Sequence, residues 1–227
     1  MINPVLSVNN LSKFYFQGGK QLQIFNNINL SIYPGEVIAL LGPSGSGKST
    51  LLNILGMLDN CSNGDLYIKN HHINKLSQEE KTKLRGKEIG FVFQFHHLLQ
   101  DFSALENVIL PQIINNIDEK QALKIAKQLL NDMGLSSRLS HIPSMLSGGE
   151  QQRVSIARAV STSPSILIAD EPTGNLDKNT AKDVFDLLLN IGKQFNIAII
   201  FATHDLSLVN KADRKFTLDQ FNLVEFN

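Results

Sequence analysis

The sequence has a single cysteine, no net formal charge and no hydrophobic run long enough to cross a membrane. One cysteine, Cys61, excludes a disulfide framework and a zinc site built from cysteines. The 21 basic and 21 acidic side chains of the 227 residues cancel. This balance argues against a general nucleic-acid-binding protein, because such proteins carry a basic surplus. At this length we expect one domain, or two closely joined lobes, with its own core.

The longest apolar runs have about the length of β-strands. They lie at residues 37–41, 166–169 and 197–202, whereas a membrane-spanning helix needs roughly 20 apolar residues. The first ten residues lack the basic stretch and apolar core of a signal peptide. We therefore expect no direct insertion into lipid, so that any work at a membrane requires a separate spanning partner.

Apolar strands alternate with helical segments along the chain. Residues 5–8 and 25–32 place apolar side chains at every second position, as strands do. Residues 37–41 are apolar throughout, which is typical of a parallel strand covered on both faces. The alternation predicts an α/β fold with a parallel sheet. Later elements of this core are expected at residues 166–169 (strand), 180–195 (helix) and 197–202 (strand).

The stretch from about residue 95 to residue 160 has a mostly helical pattern. Ser103 opens a segment with capping-box spacing, which predicts a helix that ends near residue 109, before Pro111. A second helix is expected after Asp118, where apolar residues recur at helical intervals. We interpret about 95–160 as a helical lobe inserted into the α/β core.

The strongest local signal is the segment 42–49, whose sequence GPSGSGKS fits the phosphate-binding pattern G-x-x-x-x-G-K-S. It lies between an expected strand and an expected helix, which is the context that the pattern requires. Glycines let backbone amides turn toward phosphate oxygens, and a helix N-terminus adds partial positive charge. Lys48 can reach the β- and γ-phosphates, and Ser49 can ligate Mg²⁺. The expected phosphate-loop residues are Gly42, Pro43, Ser44, Gly45, Ser46, Gly47, Lys48, Ser49 and Thr50.

Two acids follow the expected strand at residues 166–169. An acid at the carboxyl end of a central parallel strand lies in the crevice where open α/β sheets bind ligands. Asp170 can hold Mg²⁺ through water, and Glu171 can face the γ-phosphate, where a base would orient and polarise water. Together with the phosphate loop, the two acids predict a P-loop nucleotide hydrolase.

The segment 146–153, LSGGEQQR, narrows this class. It resembles the signature motif of ATP-binding cassette (ABC) ATPases, and further motifs of that family occur in the family's order over about residues 5–218. The matching residues are Tyr15 (the aromatic that stacks on adenine), Gln94 (the Q-loop), Asp177 (the D-loop, which links two sites across a dimer) and His204 (the switch histidine).

The resemblance implies an ATP-hydrolysing enzyme with ATP and Mg²⁺ as its cofactors. Its fold would combine a RecA-like core and an N-terminal antiparallel β subdomain (residues 1–94 and 161–227) with a helical subdomain (about 95–160), in one cassette over 1–227. Two copies would form a homodimer with ATP at the interface, between the phosphate loop of one chain and the signature of the other, as in closed symmetric dimers. The signature residues expected at that ATP are Ser147, Gly148, Gly149 and Glu150.

The same resemblance assigns roles within the hydrolytic site. Ser49, Gln94 and Asp170 would organise Mg²⁺ and its water. Glu171 would act as general base, and His204 would contact the γ-phosphate, with Gln94 also part of the catalytic set. Electrostatic placement of these groups would supply most of the acceleration.

Residues 90–108, which include the sequence GFVFQFHHLL, resemble a subgroup of the family, the LolD/MacB/FtsE group. The spacing between Gly42 and Leu146 is too short for the long insertions of DNA-repair cassettes. Two departures from the subgroup are Phe93, where tyrosine is frequent, and residues 219–222, where an Asp-Gly turn is usual. The second departure lies in a peripheral hairpin, so the expected nucleotide residues are unaffected.

This subgroup implies a peripheral protein at the cytoplasmic face of the bacterial inner membrane. Its ATPase activity would drive release of lipoproteins toward the outer membrane through integral membrane subunits of the LolC/LolE type. Two alternatives stay open, an FtsE-like regulatory cassette of a cell-division complex and a MacB-like export ATPase. The nucleotide site cannot separate these functions.

Overall fold

The computed structural model describes residues 3–226. The predicted bounds of 1–227 include residues 1, 2 and 227, which lie outside the described residues. The strands are β1 (Leu6–Gln17), β2 (Lys20–Ile32), β3 (Val37–Leu41), β4 (Asn63–Ile68), β5 (His71–His72), β6 (Ile89–Phe93), β7 (Ile166–Asp170), β8 (Ala198–Ala202), β9 (Arg214–Asp219) and β10 (Asn222–Phe226). The α-helices are α1 (Lys48–Leu55), α2 (Gln78–Glu88), α3 (Ala104–Ile114), α4 (Glu119–Asp132), α5 (Gly148–Val160), α6 (Lys178–Gln194) and α7 (Leu206–Val209).

The strands form two sheets of different character. The larger sheet has the order β10-β9-β3-β8-β7-β6, in which only the edge strand β10 runs antiparallel to its neighbour. The smaller sheet has the order β2-β1-β4-β5 and is antiparallel throughout. The predicted α/β class, with a parallel core sheet and an N-terminal antiparallel sheet, is confirmed.

Both faces of the parallel sheet are buried, which explains why its strands are apolar without alternation. In β3, Ile38 and Leu40 point into a core shared with α1 and the antiparallel sheet, whereas Ala39 points into a core shared with α3 to α6. Successive strand residues face opposite sides. Apolar side chains are therefore needed at every position of a strand that is covered on both faces.

Helices α3, α4 and α5 lie between β6 and β7 and pack against one another. The prediction that the first of them ends before Pro111 is wrong, because α3 continues to Ile114. The buried Gln112 donates hydrogen bonds from Nε2 to the carbonyl of Val108 (3.0 Å) and to that of Ala122 in α4 (3.3 Å). The first bond lies within α3, and the second joins the last turn of α3 to α4 despite the proline, which removes one helical donor. The division into subdomains at about 95–160 stays a prediction.

Among residues 3–226, none of the helices combines the length and the apolar character that spanning a bilayer requires.

Candidate active site

The phosphate loop connects β3 to α1 and has a backbone that requires glycine. Gly42 and Gly47 have φ values of 150° and 102°, which residues other than glycine rarely adopt. A Cβ at Gly42 would lie 2.8 Å from the carbonyl oxygen of Leu218, and one at Gly47 would lie 2.6 Å from Cγ2 of Ile24. The loop is therefore seated tightly against β9 and β2.

Lys48 is the first residue of α1, and its side chain is turned back over the loop. Its Nζ donates hydrogen bonds to the carbonyl oxygens of Gly42 (2.8 Å) and Pro43 (3.0 Å). Only 8% of the residue is exposed, so the ammonium group is held in place before a nucleotide arrives. This arrangement provides a fixed positive charge at the mouth of the loop.

The start of α1 lacks the side-chain cap that other helices of the chain have. Its N-cap is Gly47, whereas Ser77, Ser103 and Ser147 form capping boxes at the starts of α2, α3 and α5. Within residues 3–226, the buried hydroxyl of Ser46 also has no hydrogen-bond partner. Uncapped amides at a helix start are a ready site for phosphate oxygens.

Asp170 is the last residue of β7 and lies beside the phosphate loop. Burial raises the pKa of its carboxyl group, a hydrogen bond from Ser49 and the charge of Lys48 oppose this rise, and the charge of Glu171 adds to it. A cleft of about 390 Å³ opens here. Its polar lining consists of Ser44, Ser49, Gln94, His97, Asp170 and Glu171.

The described residues contain no cluster of three or more His, Cys, Asp or Glu side chains that could enclose a metal ion. The cleft instead offers the hydroxyl of Ser49, the amide oxygen of Gln94 and the carboxylate of Asp170. Mg²⁺ prefers oxygen ligands and keeps several of its waters, binding through few protein groups together with substrate phosphates. The residues present therefore fit Mg²⁺ bound with a nucleotide.

Glu171 follows Asp170 in a strained backbone conformation. Its φ is 45°, which is uncommon for a residue with a side chain, and its N–H donates to the carbonyl of Ala202 at 3.0 Å. Its Oε2 lies 3.3 Å from Nδ1 of His204, whose side chain is 72% exposed. The structure thus brings the predicted base and the predicted switch histidine together at the cleft.

Gln94 comes directly after β6 and is tied to the segment before α6. Its Nε2 donates to Oδ1 of Asn175, and Nδ2 of Asn175 donates back to the carbonyl of Gln94, both at 3.1 Å. A Cβ on Gly174 would lie 2.9 Å from Nε2 of Gln94 and 3.2 Å from Oε2 of Glu171. This close approach of the backbone holds Gln94 and Glu171 on one side of the cleft.

Sequence reasoning missed Gln152, which joins three of these segments. The side chain is fully buried in α5. Its Nε2 donates to the carbonyls of Phe93, just before Gln94, and of Pro172, just after Glu171. Its Oε1 is hydrogen bonded to Nδ1 of His96. The signal available in the sequence was a glutamine inside the signature segment, but its partners lie far away along the chain.

The signature segment forms the start of α5. Ser147 is the N-cap, and its hydroxyl accepts a hydrogen bond from the N–H of Glu150 (3.3 Å). The N–H of Ser147 and the guanidinium of Arg138 donate to the Glu150 carboxylate, and they lower its pKa to about 2. Among the described residues that line the cleft of Asp170, none belongs to 147–150. The structure therefore does not bring the predicted signature residues to the phosphate loop of the same chain.

Asp177 and the signature meet at the start of α6. The Asp177 carboxylate accepts hydrogen bonds from the N–H groups of Asn179 (3.1 Å) and Thr180 (3.2 Å), and the bonds from Thr180 lower its pKa. A Cβ on Gly149 would lie 2.5 Å from Cγ2 of Thr180. Within one chain, Asp177 therefore acts as a helix cap beside the signature.

Tyr15 lies on β1, close to the phosphate loop. It pairs with Leu22 of β2, two residues from Ile24, which contacts Gly47. The residue is 42% exposed, and its hydroxyl donates to Oδ2 of Asp59 at 2.9 Å. Burial raises the pKa of the phenol, and this hydrogen bond raises it further by a smaller amount. An exposed aromatic ring beside a phosphate loop is suited to stacking on a nucleotide base.

The phosphate loop, the paired acids and the parallel sheet are those of a P-loop nucleotide hydrolase. A family model described as ABC transporter matches residues 25–174, and the chain belongs to the ABC transporter ATPase family.

Two curated relatives are similar to the chain over nearly its whole length. The lipoprotein-releasing system ATP-binding protein LolD of Pseudoalteromonas translucida is 47% identical, and the alignment covers 99% of this chain and 97% of that protein. The protein of the same name from Rickettsia bellii is 46% identical, with 96% of each chain covered.

A solved structure shares this fold. It is the dimeric post-hydrolysis state of the ATP-binding cassette MJ0796 bound to ADP and Pi, with 37% identity, a TM-score of 0.88 and 98% of each chain covered. The predictions of an ABC cassette, of nucleotide binding and of ATP hydrolysis are confirmed. The roles assigned to individual site residues stay predictions.

Proposed function

We propose that this chain is the ATPase subunit of a lipoprotein-releasing complex of the bacterial inner membrane. The observation that carries this proposal is the similarity, over nearly the whole chain, to proteins named for lipoprotein release. ATP hydrolysis by the cassette drives integral membrane subunits of the LolC/LolE type, which extract the lipoproteins. The cassette itself remains peripheral, at the cytoplasmic face of the membrane.

In the proposed mechanism, the groups around the cleft hold the triphosphate in place for attack by water. The Gly45–Thr50 amides and Lys48 bind the phosphates, and Ser49, Gln94 and Asp170 would hold Mg²⁺. When bound, the metal would supply positive charge that offsets the negative charge of the phosphate oxygens. Glu171 orients the attacking water and accepts its proton.

His204 and Tyr15 hold the two ends of the nucleotide. His204 contacts the γ-phosphate beside Glu171. Its Nδ1 lies 3.3 Å from Oε2 of Glu171, and its side chain is exposed, so that it can reach a ligand. Tyr15 stacks on the adenine at the other end. The triphosphate is thereby aligned between the base platform and the proton acceptor.

We propose that the signature residues act on the ATP of a second copy of the chain. The signature amides lie outside the cleft of their own chain, and the structure of the similar cassette MJ0796 is dimeric. A head-to-tail pair places Ser147, Gly148, Gly149 and Glu150 opposite the partner's phosphate loop. Asp177, next to the signature, then lies at the interface between the two sites.

The membrane subunit docks in a groove of about 480 Å³ beside the Gln94 loop. Apolar side chains of β6 and α3 dominate the lining of this groove, among them Phe91, Leu110 and Ile114. Ile114 is 70% exposed, and Phe95, which follows Gln94 and lines the neighbouring cleft of Asp170, is 66% exposed. A short amphipathic helix of the partner fits such a groove, and its contact with the Gln94 loop couples it to the ATP site.

The test is to purify the Glu171→Gln protein from bacterial membranes with ATP and to identify the subunits that accompany it. A membrane protein with a large periplasmic domain is expected. With that subunit in vesicles, the wild-type cassette should release a lipoprotein when ATP is added. Recovery of a division-type membrane protein, without any release, would instead support the FtsE-like alternative.

Two matched variants test the groove. Ile114→Ser, at an exposed residue that lines the groove, should reduce recovery of the membrane subunit, whereas Phe195→Ser, at an exposed apolar residue after α6, should leave it unchanged. The basal ATPase activity of the Phe195→Ser protein should equal that of the wild type. Equal recovery with both variants would contradict docking at this groove.

A further inference from the structure

The predicted adenine-stacking residue Tyr15 is fixed by two side chains that no sequence motif singled out. Its hydroxyl donates to Oδ2 of Asp59 at 2.9 Å, and Nζ of Lys13 lies 4.5 Å from the centroid of its ring. Lys13 and Tyr15 are two residues apart on β1, so their side chains emerge on the same face of the strand. One face of the ring is thus covered by an ammonium group.

Lys13 is held where it is by a network of its own. Only 7% of the residue is exposed. Its Nζ donates to Oδ1 of Asp59 (3.0 Å) and to the carbonyl of Asn60 (2.7 Å), and it lies 2.9 Å from Oδ2 of Asp59. A buried ammonium that is paired and hydrogen bonded in this way keeps a fixed position. Asp59 therefore anchors both Lys13 and the hydroxyl of Tyr15.

Asp59 in turn belongs to the turn that ends α1. The N–H groups of Leu58 and Asp59 both donate to the carbonyl of Asn53. Met57, which precedes Leu58, has a φ of 58°. Since α1 begins with Lys48 of the phosphate loop, one helix carries the phosphate-binding lysine at its start and the anchor of Tyr15 beyond its end. The helix therefore fixes the ring relative to the phosphate loop.

We propose that Lys13 and Asp59 are positioning residues that hold Tyr15 as the platform for the nucleotide base. The proposal rests on the proposed function, in which Tyr15 stacks on adenine. The covered face of the ring leaves the opposite face for the base, and stacking contributes affinity for the base without regard to the phosphates. The pair therefore determines how strongly the cassette prefers a nucleoside triphosphate to a bare triphosphate.

The test compares the affinities of the full chain for Mg-ATP and for Mg-tripolyphosphate by calorimetric titration. Tyr15→Ala should weaken ATP binding roughly tenfold, and Lys13→Met and Asp59→Asn should each weaken it about threefold. Tripolyphosphate binding should remain unchanged in all three. In the Tyr15→Ala background, Lys13→Met should cause no further loss. Lys83→Met, at an exposed lysine paired with Glu79, is the matched control and should bind both ligands as the wild type does.

The outcomes separate this inference from the proposed function. Unchanged ATP binding by Tyr15→Ala would overturn the stacking itself. A loss with Tyr15→Ala but wild-type binding by Lys13→Met and Asp59→Asn would overturn only the positioning role. An equal loss for ATP and tripolyphosphate would mean that the pair merely supports the fold. Asp59→Asn preserves shape at a partly exposed position, so it decides the question if thermal unfolding shows that Lys13→Met does not fold.

Discussion

Helices α1 and α5 both begin at a glycine-rich segment, but their first turns are built differently. The start of α1 has no side-chain cap, and the buried hydroxyl of Ser46 before it has no partner among the described residues. The start of α5 is closed by a capping box between Ser147 and Glu150, which Arg138 reinforces. The first turn of α1 therefore has N–H groups without a side-chain acceptor, whereas the first turn of α5 is capped by side chains of the chain itself.

This contrast distinguishes phosphate binding within one chain, by the phosphate loop, from phosphate binding across the proposed dimer, by the signature. The phosphate loop offers its ligand a helix start that has no side-chain cap, while Nζ of Lys48 is already hydrogen bonded to two loop carbonyls. The signature has a complete capping box in the single chain and, in the proposed dimer, approaches a nucleotide that is already bound to the partner. Changes on the core side should therefore affect chemistry most, and changes on the signature side should combine stability with assembly.

The largest effect is expected from Glu171→Gln, which removes the proposed proton acceptor and keeps its shape. Hydrolysis should fall by about 10² to 10³-fold, within the usual range for general-base catalysis, while ATP binding remains. A stable ATP-bound dimer should then accumulate, as measured by phosphate release and by size-exclusion chromatography with light scattering. Normal steady-state turnover by this protein would rule out the assignment of the base.

An intermediate effect is expected from Ser147→Ala compared with Ser103→Ala. Both serines form capping boxes, so each change should lower the free energy of unfolding by about 1 kcal/mol in urea titrations. Only Ser147→Ala should also reduce ATP-driven dimerisation and hydrolysis, because Ser103 starts a helix away from the nucleotide. If the two variants lose activity equally, the signature serine has no special role toward ATP.

The smallest effect is expected from Glu150→Gln and depends on pH. Hydrogen bonds from Ser147 and Arg138 hold the pKa of Glu150 at about 2 in the folded chain, below its ordinary value of 4.5. A lowered folded pKa stabilises the protein above the unfolded pKa, and that stabilisation is lost as the pH falls through the folded value. Wild type should therefore be slightly more stable than Glu150→Gln at pH 7.

The difference should shrink between about pH 4.5 and pH 2 in urea titrations at constant ionic strength. A difference that stays constant over this interval would mean that the carboxylate charge does not contribute. The partial exposure of Glu150 and Arg138 keeps the expected difference small, because solvent screens such pairs.

Local sequence patterns predicted much of this architecture, because the patterns are complete within a few residues. The phosphate loop follows from a single short segment and its flanking elements. The same reasoning missed α2, because its residues Gln78 to Glu88 bury little besides Glu88 and therefore lack an apolar stripe. A capping box at Ser77 was the one available signal.

The remaining misses depend on contacts between distant parts of the chain. The end of α3 beyond Pro111 is joined to α4 by the bond from Gln112 to the carbonyl of Ala122, and no pattern in the sequence predicts such a tertiary bond. Similarly, Asp59 follows α1 but bonds to Lys13 and Tyr15, more than forty residues earlier. Such pairings become visible only when the fold brings them together.

The buried amide of Gln152 has a consequence for how two ATP molecules communicate. It fastens the backbone before Gln94 and the backbone after Glu171 to the helix that carries the signature. In the proposed dimer, those two loops face one ATP, while the signature faces the other. A shift of the loops on loss of one γ-phosphate would then move the signature donors at the opposite site, so that the Gln152 side chain would couple the two ATP sites.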